Sequence, residues 1–176
     1  CLDDSPLSYV QADAMLAGIT LDTKNFAVKT GVRTFEAAAY LRRRGANTLT
    51  VKGMFSDNIE TYREKVDIVC KAHVYRGCAI SIAPSGDGDI RLASAQAADE
   101  MLNLKGVDAS FVLFEDNNQI NISARSYGNV NVQIIMEKLG GGGHQTMAAT
   151  QLKNTTKEFA YQQLLSEIDS TLDDEE

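Results

Sequence analysis

Four consecutive glycines, Gly140 to Gly143, followed by His144, constrain this chain more than any other stretch. Upstream, Val132, Ile135, Met136 and Leu139 recur at helical spacing, and downstream Met147 to Leu152 reads as a short strand. The run therefore sits at a helix-to-strand junction. One glycine there is ordinary, because a helix C-terminus often ends on a residue with positive φ. Four of them lose backbone entropy with no side-chain packing in return. Their physical use is a set of backbone N–H groups, unobstructed by Cβ atoms, that closes around an anion such as a phosphate. His144 adds a donor at the rim.

Gln119 to Arg125 alternates, with Ile120, Ile122 and Ala124 on one side and Asn121, Ser123 and Arg125 on the other. That is the pattern of a half-buried strand. A polar row ending at Arg125 and Ser126, close to the glycines, offers a guanidinium suited to forked binding of a phosphate. A flexible hairpin with a solvated arginine is the competing reading. Taken together, the pieces favour one anion site.

Ser123-Ala124-Arg125-Ser126 with Gly141-Gly142-Gly143-His144 resembles the DHH-associated domain of the DHH phosphodiesterase superfamily, which includes RecJ-like nucleases and oligoribonucleases. The resemblance runs from about Arg76 to Leu172. It implies that Ser123, Arg125, Ser126, Gly142, Gly143 and His144 grip the phosphate and nucleoside that are not cleaved, presenting the scissile phosphate to metals held by another lobe.

Asp22 is the second residue of interest. Ala12, Met15, Leu16 and Ile19 form a helical stripe that Asp22 and Phe26 continue, which places a carboxylate on the expected buried face. An isolated charge there is expensive. A turn or capping aspartate bonding the backbone of Thr23 to Asn25, or a partner of Lys24, is the structural alternative. Ala14 to Phe26 resembles the last metal-ligand motif of the DHH domain, in the form found in members that hydrolyse cyclic-di-AMP, and Gly31 to Arg43 is similar to the same members. The likeness implies that Asp22 coordinates manganese.

The implied parent is a manganese-dependent phosphodiesterase that opens cyclic-di-AMP to 5′-pApA with two ions. Such a centre needs several carboxylates and histidines. The chain has two histidines and neither an Asp-His-His run nor a His-x-x-x-Asp-x-Asp run. It is therefore expected to be a C-terminal part that supplies the substrate lobe and one metal ligand, inactive alone. The resemblance also implies a membrane-anchored parent with its catalytic end in the cytoplasm. A nanoRNase of the same superfamily, a non-catalytic RNA-binding module and a plain α/β interaction domain are the alternatives. The apolar C-terminal helix and the connector are surfaces a homodimer could use.

Composition sets the outer bounds. A net charge of -7 argues against tight binding of long nucleic acid, which requires many cations. Cys1, Cys70 and Cys78 lack metal-type spacing and read as reduced, cytosolic core thiols. No apolar run approaches the ~20 residues of a membrane span, and no signal-peptide zones precede Ser8. The acid tail, Asp173 to Glu176, reads as a solvated end.

The expected fold is α/β: a helical remnant of the DHH domain over residues 1–50, a connecting helix over 51–75, and an α/β lobe with a mixed sheet over 76–176. Helices are expected from Ser8, from a cap at Thr34 to Arg44, and from a capping box at Asp57 and Glu60 through His73. The lobe reads strand, helix, strand, strand, helix, strand, helix. Its last helix starts at a capping box of Thr155 and Glu158. Arg42 to Arg44 read as a structural helix end.

Overall fold

The structure, a computed structural model, describes residues 7–84 and 89–173. The expected opening loop up to Pro6, Cys1 with it, the turn residues 85–88 and the acid tail from Asp174 lie outside the described residues. Two compact units result, Cys1–Asp57 and Asn58–Glu176.

The first unit is helical, as expected. Its elements are α1 (Tyr9–Asp22), α2 (Val32–Arg43) and α3 (Thr48–Met54). Ser8 opens α1 with a capping box closed by Gln11. Gly31, not Thr34, is the N-cap of α2; Thr34 lies three residues in and its hydroxyl accepts the Gly31 N–H. Ala12, Leu16, Leu41, Ala46 and Val51 form the core. Asp13 is buried with them, and its Oδ1 accepts the Asn47 N–H at 2.6 Å, which fixes the entry to α3. Arg42 and Arg44 serve the helix end, on the Ala46 carbonyl and the Tyr40 hydroxyl respectively.

The second unit is the expected α/β lobe on a mixed sheet. It comprises α4 (Ile59–Cys70), β1 (His73–Tyr75), β2 (Cys78–Ile82), α5 (Ile90–Met101), β3 (Ala109–Asp116), β4 (Gln119–Ser126), α6 (Val132–Lys138), β5 (Gly142–His144), β6 (Met147–Lys153) and α7 (Lys157–Asp173). The strands lie in the order β1-β2-β3-β4-β6-β5. Among the described residues only β2 and β3 run parallel, joined through α5, because a parallel pair needs a long crossover.

The caps of α4 and α7 each differ from the sequence reading by one residue. Asn58, not Asp57, accepts the Thr61 N–H and opens α4, and Thr156, not Thr155, accepts the Phe159 N–H at the start of α7. His73 does not end a helix. It lies in β1, with Nε2 2.8 Å from the Tyr161 hydroxyl. The residues 51–75 thus hold the end of α3, α4 and β1. Of the two described cysteines, Cys78 is buried but Cys70 is exposed, so only one is a core thiol.

Both sheet faces are packed. On one, Ile80, Phe111, Leu113, Ile122 and Ala124 meet α6 and α7 through Ile135, Met136, Leu164 and Ile168. On the other, Ala79, Val112 and Phe114 meet α4 and α5 through Ile68, Ala93, Ala97 and Met101. Small residues let α5 lie close to the sheet, and the Ser110 hydroxyl donates to the Ala98 carbonyl at 2.6 Å. This second face carries the candidate site.

Candidate substrate-binding site

The register of three strands assembles the site. Ser123 pairs with Ala149 and Ala149 with Gly142, while Arg125 pairs with Met147 and Met147 with His144. Partners across a sheet share a face, and every second residue along a strand returns to it. Ser123, Arg125, Gly142 and His144 therefore stand on one face, the α5 face. Two strand spacings, about 9.5 Å, separate the backbones of Arg125 and His144.

Arg125 is buried and held, which excludes a solvated arginine. Its Nε donates to Asp99 Oδ2 of α5 at 3.3 Å and its Nη1 to the Ala124 carbonyl at 3.0 Å. A guanidinium has five N–H donors, so donors remain after these two bonds. His144 is exposed, and Met147 between them is 49% exposed. Asp99 and Met147 escaped the sequence reading. Asp99 lies in an alanine-rich helix with no motif around it, and only the packing of α5 along β4 brings it to Arg125.

Ser126 is not brought to this face. It stands with Ala124 on the opposite side, where its hydroxyl donates to the Gln145 carbonyl at 3.3 Å and accepts the Gly128 N–H at 3.2 Å. It ties the end of β4 to the turn before β6.

The four glycines divide by cause. Gly140, at φ +77, ends α6: its N–H reaches the Glu137 carbonyl and that of Gly141 the Met136 carbonyl, a Schellman cap. A Cβ on Gly141 would lie 2.2 Å from the Ala149 carbonyl oxygen, and one on Gly143 would lie 2.5 Å from Ala148 Cα. Both are glycine so that the chain can lie against β6. Gly142 has neither cause: its φ suits any residue, and nothing lies within 4 Å of a Cβ built there. The open glycine is the one in the row with Ser123.

Asp22 corrects the expected burial. It is the last residue of α1 and exposed, because the buried positions are Ala12, Asp13, Leu16 and Thr23. Ala12, Leu16, Ile19 and Phe26 of the expected stripe do pack together, whereas Met15 and Asp22 are exposed and Asp13 and Thr23 are buried instead. The next residues, Lys24, Asn25 and Phe26, all have left-handed φ, at 45°, 57° and 65°. That conformation costs roughly 1–2 kcal/mol per residue. Thr23 Oγ1 accepts the Phe26 N–H at 2.9 Å, and the Phe26 ring stacks on Phe35.

No group of three or more His, Cys, Asp or Glu side chains assembles among the described residues. A lone carboxylate suits a hard divalent cation as one donor and does not build a two-ion centre. A concavity of about 770 Å³ lies at the other end of β6, lined by Lys153, Asn154, Thr156, Phe159 and Gln163. It lies away from Arg125, whose partner Met147 begins that strand.

These features define the class: the chain belongs to the DHHA1 domain family, which matches residues 77–174. Among curated proteins it is 47% identical over 170 residues to the cyclic-di-AMP phosphodiesterase PdeA of Listeria monocytogenes, covering 96% of this chain and 26% of that protein. It is 42% identical over 167 residues to the cyclic-di-AMP phosphodiesterase GdpP of Bacillus subtilis, covering 93% of this chain and 25% of that protein. The chain thus spans about a quarter of the length of these relatives. A crystal structure of an exopolyphosphatase-related protein from Bacteroides fragilis shares the fold, with a TM-score of 0.82 at 19% identity over 93% of this chain and 51% of that one.

Proposed function

We propose that this chain is the substrate-holding part of a metal-dependent phosphodiesterase that hydrolyses cyclic-di-AMP to 5′-pApA. The observation that carries the reading is that Arg125, Gly142 and His144 share one sheet face, in a chain 42–47% identical to proteins named for that activity. The residues 76–176 form the substrate lobe and 1–50 the end of the metal domain, with 51–75 between them in sequence.

Each residue has a role in this reading. Arg125, oriented by Asp99, turns its remaining N–H donors to a phosphate, where charge-assisted forked bonds are strong. His144 donates from the β5 side. Ser123 offers a hydroxyl between them, and the space at Gly142 admits the ligand. Gly143 and Ser126 shape the strands and do not touch the phosphate.

Asp22 would help to hold manganese through its carboxylate, and the metal would supply activation of water and stabilisation of the leaving oxygen. Hydrolysis belongs to the larger protein, since one carboxylate holds no two-ion centre. That protein is membrane-anchored with this part in the cytoplasm, and dimerisation is an extension that light scattering tests. No described helix is long and apolar enough to cross a membrane.

The deciding experiment is calorimetric titration of the chain with pApA, without metal. Arg125→Ala is expected to weaken binding about 10- to 100-fold, because a charged hydrogen bond contributes about 1.5–3 kcal/mol. Superimposable curves for the two proteins would refute the assignment. Turnover of cyclic-di-AMP against linear oligonucleotides by the larger protein separates this reading from a nanoRNase.

A further inference from the structure

We propose that Gln151, with Leu92 of α5 on the opposite wall, reads the adenine base of a dinucleotide whose phosphate lies at Arg125; the inference rests on the substrate-binding reading above. The register supplies the first step. Gln151 pairs with Asn121, on the same face as the Ser123–Ala149–Gly142 row and the Arg125–Met147–His144 row. The middle row ends in a hydroxyl, a methyl and a hydrogen, so it is a floor. Arg125, Met147 and His144 bound the floor on one side, and the Asn121–Gln151 pair bounds it on the other. From Met147 to Gln151 the strand advances about 13 Å, comparable to a 5′-nucleotide from phosphate to the far edge of the base.

The second step concerns which side chains remain available at that far edge. Asn121 is buried, and its Nδ2 donates to the Gln119 carbonyl at 3.2 Å. Gln151 is exposed, and its amide has no partner among the described residues.

The third step is the opposite wall. Helix α5 is tied near the start of β4 by Arg91 on Asp116, which pairs with Gln119, and at the end of β4 by Asp99 on Arg125. Leu92 and Asp99 are seven residues apart and so share a side of the helix. Leu92 is 47% exposed, which leaves an apolar side chain at the level of Gln151. A base placed there meets a hydrocarbon surface and a free amide.

The amide discriminates. Adenine presents an N6–H donor beside the N7 acceptor, which a glutamine carbonyl and NH₂ match together. Guanine presents O6 and N7, both acceptors, and leaves the glutamine carbonyl oxygen unpaired.

The test titrates the 176-residue chain and its Gln151→Ala variant with pApA, pGpG and inorganic pyrophosphate, with melting curves confirming that the exposed substitution leaves the fold intact. The expected result is preference for pApA in the unmodified chain, a preference about tenfold smaller in Gln151→Ala, and unchanged pyrophosphate affinity. Leu92→Ala is expected to weaken both dinucleotides and keep their ratio. An unmodified chain that binds both dinucleotides equally, or a variant that retains the full preference, overturns the base assignment and leaves the phosphate site standing. An unmodified chain that binds neither dinucleotide overturns both readings.

Discussion

Gly142 is the residue at which the structure separates architecture from ligand space. Its three neighbours are glycine for reasons internal to the fold: a helix cap at Gly140, and close approach to β6 at Gly141 and Gly143. Gly142→Ala is therefore expected to change stability by no more than about 0.5 kcal/mol while weakening pApA binding about tenfold through overlap with the ligand. Gly141→Ala and Gly143→Ala are expected to lose about 1–3 kcal/mol of stability, because a methyl group meets strand backbone at both. Denaturant melts and calorimetry on the three variants check this, and a strongly destabilised Gly142→Ala with normal binding would contradict it. The sequence showed that four glycines needed a cause. It could not divide them among causes, because the distance to β6 is a property of the sheet. Arg125 shows the same limit, since its phosphate chemistry was visible in sequence but its partner Asp99 was not.

Among the elements, β2 illustrates how placement alters chemistry. Cys78 on this strand is wholly buried, and burial pushes its thiol up to about 11, with Asp108 reinforcing and Arg76 opposing the shift. A thiol of ordinary pKa, near 9, ionises first in the unfolded chain. Between about pH 9 and pH 11 the unfolded state then binds fewer protons than the native state, so stability falls as pH rises. Below pH 9 this contribution is fully present. Its loss amounts to about 2 kcal/mol by pH 11. Cys78→Ala is expected to show a correspondingly shallower alkaline decline in melting temperature, and parallel profiles would count against the burial effect. The element types of this lobe were readable because helical and strand periods differ. The two strands that the sequence reading missed, β1 and β5, have three residues each. That is too short for a period, and each exists because a neighbouring strand offers an edge to pair with. The misplaced caps at Asp57 and Thr155 have a similar origin. Adjacent Asn58 and Thr156 offer equivalent oxygens, and the path of the preceding chain selects between them.

Across the whole molecule, the two units have separate apolar cores, one around Leu16 and Leu41 and the others on either side of the sheet. The segment Asn58–Glu176 is accordingly expected to fold by itself, to melt in one cooperative transition, and to bind pApA with the affinity of the full chain. Failure of that segment to fold would show that its stability depends on the helical unit, and a folded segment with weaker binding would contradict the assignment of the whole site to it. Helical and strand periods, turn chemistry, an α/β class with a mixed sheet, and the association of an arginine with a glycine–histidine run were all determined by the sequence alone, because each depends on residues close together along the chain. Only the tertiary structure decided that Arg125, Gly142 and His144 share a face while Ser126 does not, that Asp99 holds the guanidinium, and that Asp22 is exposed. Those outcomes depend on sheet register, on the packing of α5 along β4, and on the angle at which α1 meets its unit. A shift of one residue in register or of 100° around a helix reverses which side chains face the site, and such a shift leaves the local pattern of the sequence unchanged.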